Sequence, residues 1–220
     1  MRQLRGVIWD LDGTLVDTSE VHFASWHRAA SERGVRFTRE TFGQMFGQRN
    51  RETIAHVFGP ISDEEARAIS ARKESLYRQT ARGGVTLLPG ARELLDALAG
   101  ERIPCALGTS APQENAELLL EATGTRSRFA ALACEEDTVR GKPAPDVFLV
   151  AAKKLGIDPG DCVVLEDAVV GIEAARSAGM RAIAVALASH AKRGDLARAY
   201  LVVDTLCDVS VEALRRLYPG

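Results

Sequence analysis

A short apolar run near the start of the chain ends in two closely spaced aspartates. Val7 to Trp9 forms a predicted buried strand, and Asp10, Asp12 and Gly13 follow it at once. If the strand geometry continues, both carboxylates leave on the same side, where they repel each other unless a cation or a shared proton lies between them. A solvated Asp-Gly turn is the alternative interpretation. The pattern D-x-D-G-T-L fixes five residue types, which favours a functional site.

Apolar strands and amphipathic helices alternate along the chain after Pro89. The strands are continuous runs of Val, Ile, Leu, Ala and Cys, which is typical of a parallel sheet covered by helices on both faces. The predicted fold class is therefore α/β, with a doubly wound parallel sheet. The predicted strands are 7–9, 103–108, 129–134, 162–165, 182–186 and 201–203, and the helices of this part are 91–99, 114–123, 146–155 and 168–178.

A helical segment separates the first strand from this alternating part. Helices are predicted over 18–33, 39–46, 51–58 and 63–82, with no convincing strand among them. We therefore predict an inserted all-helical domain at residues 18–84 and an α/β core domain formed by residues 1–17 and 85–220. Gly83 and Gly84 supply the backbone freedom for a hinge, so we expect the inserted domain to move.

Polar residues gather at the predicted strand ends. Thr109 and Ser110 follow one strand, and Glu166 and Asp167 follow another. Because the carboxyl ends of parallel strands share one edge of a sheet, these residues and the aspartate pair should meet at the ligand crevice. Two carboxylates about 4 Å apart repel by roughly 4 kcal/mol at an effective dielectric of about 20, so a cation is predicted, and oxygen ligands select a hard ion. A helix N-terminal cap is a second, compatible use of Glu166 and Asp167.

Composition bounds the remaining function classes. The chain has 220 residues, 46% hydrophobic and 26% charged, with a formal net charge of -2. Near-neutral charge argues against nucleic acid as a partner, and no apolar run reaches membrane-spanning length. The first strand begins too early to leave room for a signal peptide, and the four cysteines show no C-x-x-C pairing. We expect a cytoplasmic protein without disulfides or zinc, as a monomer or weak homo-oligomer.

Four segments, in order, resemble the motifs of the haloacid-dehalogenase-like hydrolases. They are residues 10–15, 107–110, 140–146 and 163–167. In the third, Lys142 precedes Pro-Ala-Pro, which fixes a rigid, non-helical approach to the next helix and lets the ammonium be aimed. The insert directly after the first motif resembles the helical cap of the β-phosphoglucomutase-like branch. The resemblance covers nearly the whole chain and implies a Rossmann-like core with a cap.

The resemblance also implies roles for the motif residues. Asp10 would be the nucleophile that forms an aspartyl-phosphate, and Asp12 would be the general acid and then the base that activates water. Thr109 and Lys142 would hold the phosphoryl group. The implied cofactor is Mg²⁺, which a site that also binds phosphate favours. Its implied ligands are an Asp10 carboxylate oxygen, the Asp12 backbone carbonyl and Asp167, with Glu166 assisting directly or through water.

Further residues are predicted to contact the substrate. A cap that faces a phosphate site needs cations, although histidines and arginines on such helices are by default surface residues. The predicted substrate-binding residues are Gly13, Thr14, Ser110, His22, Arg49, Arg51 and Arg78. We further expect the Thr14 hydroxyl to hydrogen-bond to Asp12 and to help hold it where it activates water. The β-phosphoglucomutases resemble D-x-D-G-V here, which favours a phosphatase.

Three function classes remain after these observations. The first, which we favour, is a Mg²⁺-dependent phosphatase acting on a small phosphorylated metabolite, most simply a sugar phosphate. The second is a β-phosphoglucomutase that uses the same aspartyl-phosphate. In the cap, Tyr77 and Asn50 fall where the mutases carry lysine and arginine, which supports the first class, although Arg49, Arg51 and Arg78 are each close enough in sequence to substitute. The third is a non-catalytic binding module, and the retained, mutually repelling carboxylates argue against it. The 2-haloacid dehalogenases need no metal and lack the second acid, so Asp12 argues against them.

Overall fold

A computed structural model describes residues 2–218 of the chain. The strands are β1 (Gly6–Trp9), β2 (Val16–Asp17), β3 (Thr86–Leu87), β4 (Cys105–Gly108), β5 (Phe129–Ala133), β6 (Cys162–Glu166), β7 (Arg181–Val185) and β8 (Leu201–Val203). Six of them form one parallel sheet in the order β5-β4-β1-β6-β7-β8. The predicted doubly wound α/β architecture is confirmed.

The strand that precedes the aspartate pair lies at the centre of this sheet. Val7, Ile8 and Trp9 of β1 are fully buried, with Val7 and Trp9 in one apolar cluster and Ile8 in the other. This alternation follows from the two-residue period of a strand. β4 and β6 flank β1 on opposite sides, so the strand order reverses there. The crevice beyond the carboxyl end of β1 is the place where such sheets bind ligands.

Four helices between β2 and β3 form the inserted domain, which we call the cap. They are α1 (Ser19–Ser31), α2 (Arg39–Met45), α3 (Asn50–Phe58) and α4 (Asp63–Ala81). The cap is helical, as predicted, and has its own apolar cluster, to which Trp26, Phe42 and Ile69 contribute. α4 begins with a capping box, in which the side chains of Ser62 and Glu65 accept hydrogen bonds from each other's backbone amides. An apolar centre and capped helices allow the cap to hold its shape apart from the sheet.

Five more helices cover the two faces of the sheet. They are α5 (Ala91–Gly100), α6 (Gln113–Ala122), α7 (Asp146–Leu155), α8 (Val169–Ser177) and α9 (Val211–Arg216). One face packs on α5, α6 and α9 through Leu95, Leu119 and Leu214. The other packs on α7 and α8 through Phe148 and Ile172. The helix α9 was not predicted, whereas the limits of the predicted elements differ from the observed ones by at most two residues.

The two chain segments that join the cap to the core pair with each other. β2 and β3 are antiparallel, with Val16 opposite Leu87. The sequence did not predict them because two-residue strands carry no readable periodicity. Gly84, with φ +124°, adopts a backbone conformation that favours glycine. The strand pair and this glycine form the connection that we expect to act as the hinge.

The sequence predicted free cysteines and no membrane-spanning segment. Cys105, Cys134 and Cys162 are buried and Cys207 is exposed, all four as free thiols. Burial raises the pKa of the three buried thiols to about 12, so they pack as small apolar groups. Within residues 2–218 there is no helix with the length and apolar character needed to cross a membrane.

Candidate active site

The predicted polar residues converge at the carboxyl edge of the sheet. Asp10 and Thr109 come directly after β1 and β4, and Glu166 is the last residue of β6. The Asp10 amide donates to the Leu165 carbonyl (2.9 Å), and the Thr109 amide donates to the Ala133 carbonyl (3.0 Å). These backbone hydrogen bonds fix the direction in which each strand leaves the sheet. Asp10 therefore lies between the ends of two neighbouring strands.

Lys142 binds two of the gathered carboxylates. Its Nζ lies 2.5 Å from Asp10 Oδ1 and 2.6 Å from Glu166 Oε1, and the residue is 4% exposed. Burial on its own would lower the pKa of Lys142, but the charges of Asp10 and Glu166 outweigh burial and raise it. Glu166 Oε2 accepts hydrogen bonds from the backbone amides of Asp167 (2.7 Å) and Ala168 (2.6 Å). The lysine is therefore held in place and charged, and its binding of the phosphoryl group stays a prediction.

Three buried carboxylates lie close together beside this lysine. Oxygens of Asp10, Glu166 and Asp167 all lie within 4.8 Å of one another. Burial raises the pKa of Asp10 to about 8, with a further upward contribution from Glu166 and an opposing one from Lys142. Burial and the charges of Glu166 and Asp10 raise the pKa of Asp167 well above its usual range. Such shifts are typical of carboxylates that repel each other out of contact with water.

An unpaired oxygen and a glycine show that a cation fits beside these carboxylates. Asp167 Oδ2 is buried and has no hydrogen-bond partner in residues 2–218. Gly13 (φ +85°) faces it, and a Cβ at this position would stand 2.2 Å from that oxygen. Asp10 and Asp167 therefore suit a hard divalent ion such as Mg²⁺. Both oxygens of Glu166 already accept hydrogen bonds, one from Lys142 and the other from backbone amides. Its main effect is therefore to position Lys142 and the backbone of Asp167.

The second aspartate contacts the hinge and the cap. Asp12 Oδ1 accepts hydrogen bonds from the hydroxyls of Thr18 (2.6 Å) and Tyr77 (3.1 Å), and it lies 3.0 Å from His22 Nε2. Burial alone would raise the pKa of Asp12, but the interactions with His22 and Thr18 outweigh burial and lower it to about 2. His22 belongs to α1 and Tyr77 to α4. The predicted acid/base is thus an ionised carboxylate held by cap side chains. His22 lines the cavity beside it, and its contact with a substrate stays a prediction.

Thr14 does not make the contact that we expected. Its hydroxyl donates to Asp167 Oδ1 at 3.2 Å, and the residue is completely buried. The turn at Gly13 directs this side chain towards the carboxylate cluster and away from Asp12. The expected role in holding Asp12 belongs to Thr18 instead. The argument for a phosphatase that rested on a hydrogen bond between Thr14 and Asp12 was therefore wrong.

A cavity separates the cap from the edge of the sheet. Including its mouth, it holds about 640 Å³ free of protein atoms. Its core side is lined by Asp10, Asp12, Thr109 and Ser110. The other polar side chains of the lining are His22, Gln48, Asn50, Thr53, Lys73, Glu74 and Asn115, and the large apolar ones are Trp26, Phe37, Phe42, Met45 and Phe46. The predicted nucleophile and acid/base therefore face a space enclosed by the cap.

Thr109 and Ser110 lie where a phosphoryl group would enter. The Thr109 hydroxyl accepts a hydrogen bond from the Ala111 amide (3.0 Å), which leaves its proton free to donate. The Ser110 hydroxyl donates to the Gly47 carbonyl of the cap (3.2 Å). A ligand oxygen could replace this carbonyl as the acceptor. Both residues thus line the cavity, and their binding of a phosphoryl group stays a prediction.

The three cap arginines that were predicted to contact the substrate do not line the cavity in the described part of the chain. Arg49 is buried and donates to backbone carbonyls of residues 138–140 at 3.2–3.3 Å. Arg78 donates to Asn115 Oδ1 at 3.1 Å. Arg51 is exposed at the start of α3. In this arrangement Arg49 and Arg78 fasten the cap to the core, and a substrate contact by any of the three stays a prediction.

The fold and this site define a capped α/β hydrolase. Residues 4–179 match the haloacid dehalogenase-like hydrolase family. The chain belongs to that family, in its subfamily IA and the β-phosphoglucomutase/CbbY-like branch. The family expected from the four motifs is confirmed.

Known relatives include both a mutase and a phosphatase. The β-phosphoglucomutase of Bacillus subtilis (strain 168) is 32% identical over 220 residues, which cover 96% of this chain and 94% of that protein. Fructose-1-phosphate phosphatase YqaB of Escherichia coli (strain K12) is 34% identical over 185 residues, which cover 83% of this chain and 96% of that protein. The crystal structure of β-phosphoglucomutase from Clostridium difficile matches with a TM-score of 0.88 at 27% identity, covering 97% of this chain and 96% of that one. Sequence identity alone therefore does not separate the two activities.

Proposed function

We propose that this protein is a Mg²⁺-dependent phosphatase that hydrolyses a small phosphorylated metabolite, a sugar phosphate, in the cytoplasm. The observation that supports this most is the pairing of roles at the end of β1. Asp10 is bound by Lys142 at 2.5 Å, while Asp12 contacts the cap. This pairing supports Asp10 as the nucleophile and Asp12 as the acid/base.

The reaction proceeds through an aspartyl-phosphate. An Asp10 oxygen forms a bond to phosphorus as the bond from phosphorus to the leaving oxygen breaks. The leaving oxygen takes a proton from Asp12, whose affinity for that proton rises when the dianionic phosphate binds beside it. Asp12 then removes a proton from water, which attacks phosphorus and frees both Asp10 and inorganic phosphate. The protons and bonds of the two steps balance without any other reactant.

Charge neutralisation supplies most of the rate enhancement in such a transfer. The Lys142 ammonium stabilises the phosphoryl oxygens, and the Thr109 hydroxyl and the Ser110 hydroxyl orient them. A bound Mg²⁺ would neutralise phosphate charge next to Asp10 and Asp167. The cap excludes water until the transfer is complete.

Hydrolysis should exceed isomerisation. Isomerisation requires a bisphosphate intermediate that turns over in the cavity, and therefore a cation for each phosphate. Lys73 is the one lysine or arginine among the described lining residues, and it pairs with Glu74 at 2.8 Å. We expect free phosphate from a hexose phosphate to form faster than any isomer, with a bisphosphate primer present, when both products are followed by NMR. Isomerisation much faster than phosphate release would favour the β-phosphoglucomutase alternative.

A panel of phosphorylated sugars, nucleotides and glycolytic acids with Mg²⁺ tests the proposal as a whole. Phosphate release from at least one sugar phosphate, well above release from nucleotides, is the expected outcome. The p-nitrophenyl ester of phosphate serves as a general substrate that reports on the nucleophile alone. A folded protein that releases phosphate from none of these compounds would contradict a phosphatase function.

Replacement of Gly13 tests the cation site. We expect Gly13→Ala to reduce phosphate release by about 100-fold, because an added Cβ would displace the Asp167 carboxylate, and misplacement by about 1 Å costs that much. Gly34→Ala is the matched control, since Gly34 also has a positive φ (+69°) but an added Cβ would meet no atom within 4 Å. Both variants carry the same backbone cost of about 1–2 kcal/mol. Thermal melts should therefore show a lower Tm for both variants, and a lower one still for Gly13→Ala, because its Cβ also crowds Asp167. Equal losses of activity would contradict the site.

A further inference from the structure

A buried carboxylate of the cap, separate from the carboxylate cluster of the core, lines the cavity. Glu74 lies on α4 and is 6% exposed. Its Oε1 accepts hydrogen bonds from Asn50 Nδ2 (2.7 Å) and Lys73 Nζ (2.8 Å), and its Oε2 accepts one from Asn115 Nδ2. Three elements of the chain thus converge on one carboxylate: the start of α3, α4 and the start of α6. We call these four residues the Glu74 cluster.

The hydrogen-bonding capacity of the Glu74 cluster favours a ligand that donates. An ionised carboxylate has about four acceptor positions, of which the cluster fills three. Both amides turn their nitrogen towards Glu74, so the Asn50 oxygen remains an acceptor for a further donor. Hydroxyl groups can donate to these positions and accept from Lys73. A phosphate dianion has no proton to donate to these positions, and its negative charge would be repelled by that of Glu74.

The charge of the Glu74 cluster points to the same conclusion. Burial would raise the pKa of Glu74, but Lys73 and the two amides outweigh burial and lower it, so the carboxylate is ionised. The Lys73 ammonium is thereby neutralised by its neighbour at 2.8 Å. Arg49 and Arg78, which were predicted to contact the substrate, are bonded to backbone carbonyls and to Asn115 respectively. Around the Glu74 cluster, the described lining residues therefore include no lysine or arginine that is not already paired.

An apolar surface completes this end of the cavity. Trp26, Phe42 and Phe46 line the cavity from the cap. Aromatic side chains pack against C–H groups and provide no positive charge for a phosphate. A compact carbon chain with hydroxyl groups along one edge matches both the aromatic lining and the Glu74 cluster.

We propose that the Glu74 cluster is the specificity element of this site: it binds the hydroxyl groups of a neutral sugar or polyol carrying a single phosphate, and it rejects substrates with a second phosphate. This inference rests on the proposed phosphatase function and narrows its substrate class. Its specificity comes from repulsion of the wrong ligand as much as from attraction of the right one.

The first test compares matched substrates on the wild-type enzyme. A hexose 1-phosphate and the bisphosphate that differs from it by one additional phosphate at the other end are assayed with Mg²⁺, beside p-nitrophenyl phosphate. We expect kcat/KM for the monophosphate to exceed that for the bisphosphate by about 100-fold or more. Hydrolysis of p-nitrophenyl phosphate together with equal or preferred use of the bisphosphate overturns this inference and leaves the phosphatase function intact. Hydrolysis of none of the three overturns both.

The second test changes the charge of the cluster. Glu74→Gln removes the repulsion and frees Lys73, so the preference for the monophosphate should fall by about tenfold or more, mainly through KM. Glu64→Gln on an exposed position of the same helix is the matched control and should leave the ratio unchanged. Asn50→Arg adds a cation to the cavity and should raise kcat/KM for the bisphosphate, a gain that a merely weakened fold cannot produce. Unchanged ratios in both Glu74→Gln and Asn50→Arg, with normal melting curves, would overturn the assignment.

Discussion

The Asp10→Asn variant should release no phosphate above background, a loss of about 10⁴-fold or more. The amide that replaces the carboxylate is a poor nucleophile and cannot form an aspartyl-phosphate. The substitution would also remove one of the two carboxylate acceptors of the Lys142 ammonium, whose Nζ lies 2.5 Å from Asp10 Oδ1 in the native protein. Phosphate release from p-nitrophenyl phosphate and from a sugar phosphate measures the effect.

The same substitution should leave the protein folded. Burial raises the pKa of Asp10 from its ordinary 3.8 to about 8, so at neutral pH without metal the folded protein holds a proton that the unfolded chain releases. This contribution to stability is complete below pH 3.8 and is lost as the pH rises through about 8. Asparagine resembles the neutral acid in shape, so the variant should melt no lower than the wild type near pH 7 and should lose this part of the pH dependence.

A matched control separates the nucleophile from a general loss of charge. Asp17→Asn changes an exposed residue of β2 and should have nearly wild-type activity. Mass spectrometry of the Asp10→Asn protein must show that the asparagine has not deamidated. Turnover close to that of the wild type by a folded, intact Asp10→Asn protein would refute the nucleophile assignment.

Chelation of divalent cations should also abolish turnover, and Mg²⁺ should restore it. Asp10, Glu166 and Asp167 have oxygens within 4.8 Å of one another, and Asp167 Oδ2 lacks a partner in the described structure. Without a cation, burial and mutual repulsion keep the pKa of Asp10 and of Asp167 raised. A protonated Asp10 cannot attack phosphorus, and without the cation the phosphate charge next to Asp10 and Asp167 lacks the neutralisation that Mg²⁺ would supply. Activity measured against Mg²⁺ concentration after treatment with EDTA should therefore rise from background to a plateau.

Calcium should bind at this site and inhibit. It accepts more ligands at longer distances than Mg²⁺, so it should engage both oxygens of Asp10 and withhold the nucleophile. Thermal melts supply a readout independent of turnover, because an ion that binds the folded state alone raises Tm. We expect Mg²⁺ and Ca²⁺ both to raise Tm of the wild type and to have a smaller effect on Asp167→Asn. Full activity in EDTA, or in Ca²⁺ alone, would contradict the metal site.

The sequence predicted the core side of the site because strand geometry is local. Each of Asp10, Thr109 and Glu166 lies where an apolar run ends, and parallel strands place such ends at one edge. Lys142 was predictable because two prolines restrict the chain beside it. The strand pair β2–β3 was not, since two residues give no period.

The cap side depends on contacts between residues far apart in the chain. Asn115 meets Glu74 across 41 residues, and neither position differs in sequence from an ordinary surface residue of a charged helix. Arg49 was expected at the substrate because of its charge, but its long side chain reaches the carbonyls of residues 138–140 instead. The direction of Thr14 depends on the φ of Gly13, which the sequence pattern does not specify. The packing of the cap on the core and the direction of the backbone, rather than residue type, determine where these side chains lie.

The partners of Asp12 make its hydrogen bonds depend on the position of the cap. Asp12 itself is part of the core chain, but the donors to its Oδ1 come from the hinge, from α1 and from α4. Any movement that lifts the cap withdraws His22 and Tyr77 from this oxygen, while Asp10, Lys142 and the carboxylate cluster stay in place. When Asp10 is phosphorylated and the cap is open, Asp12 is therefore not held in position to act as the base. The leaving alcohol can therefore depart in the open state, and hydrolysis of the aspartyl-phosphate waits until the closed cap holds Asp12 in place again.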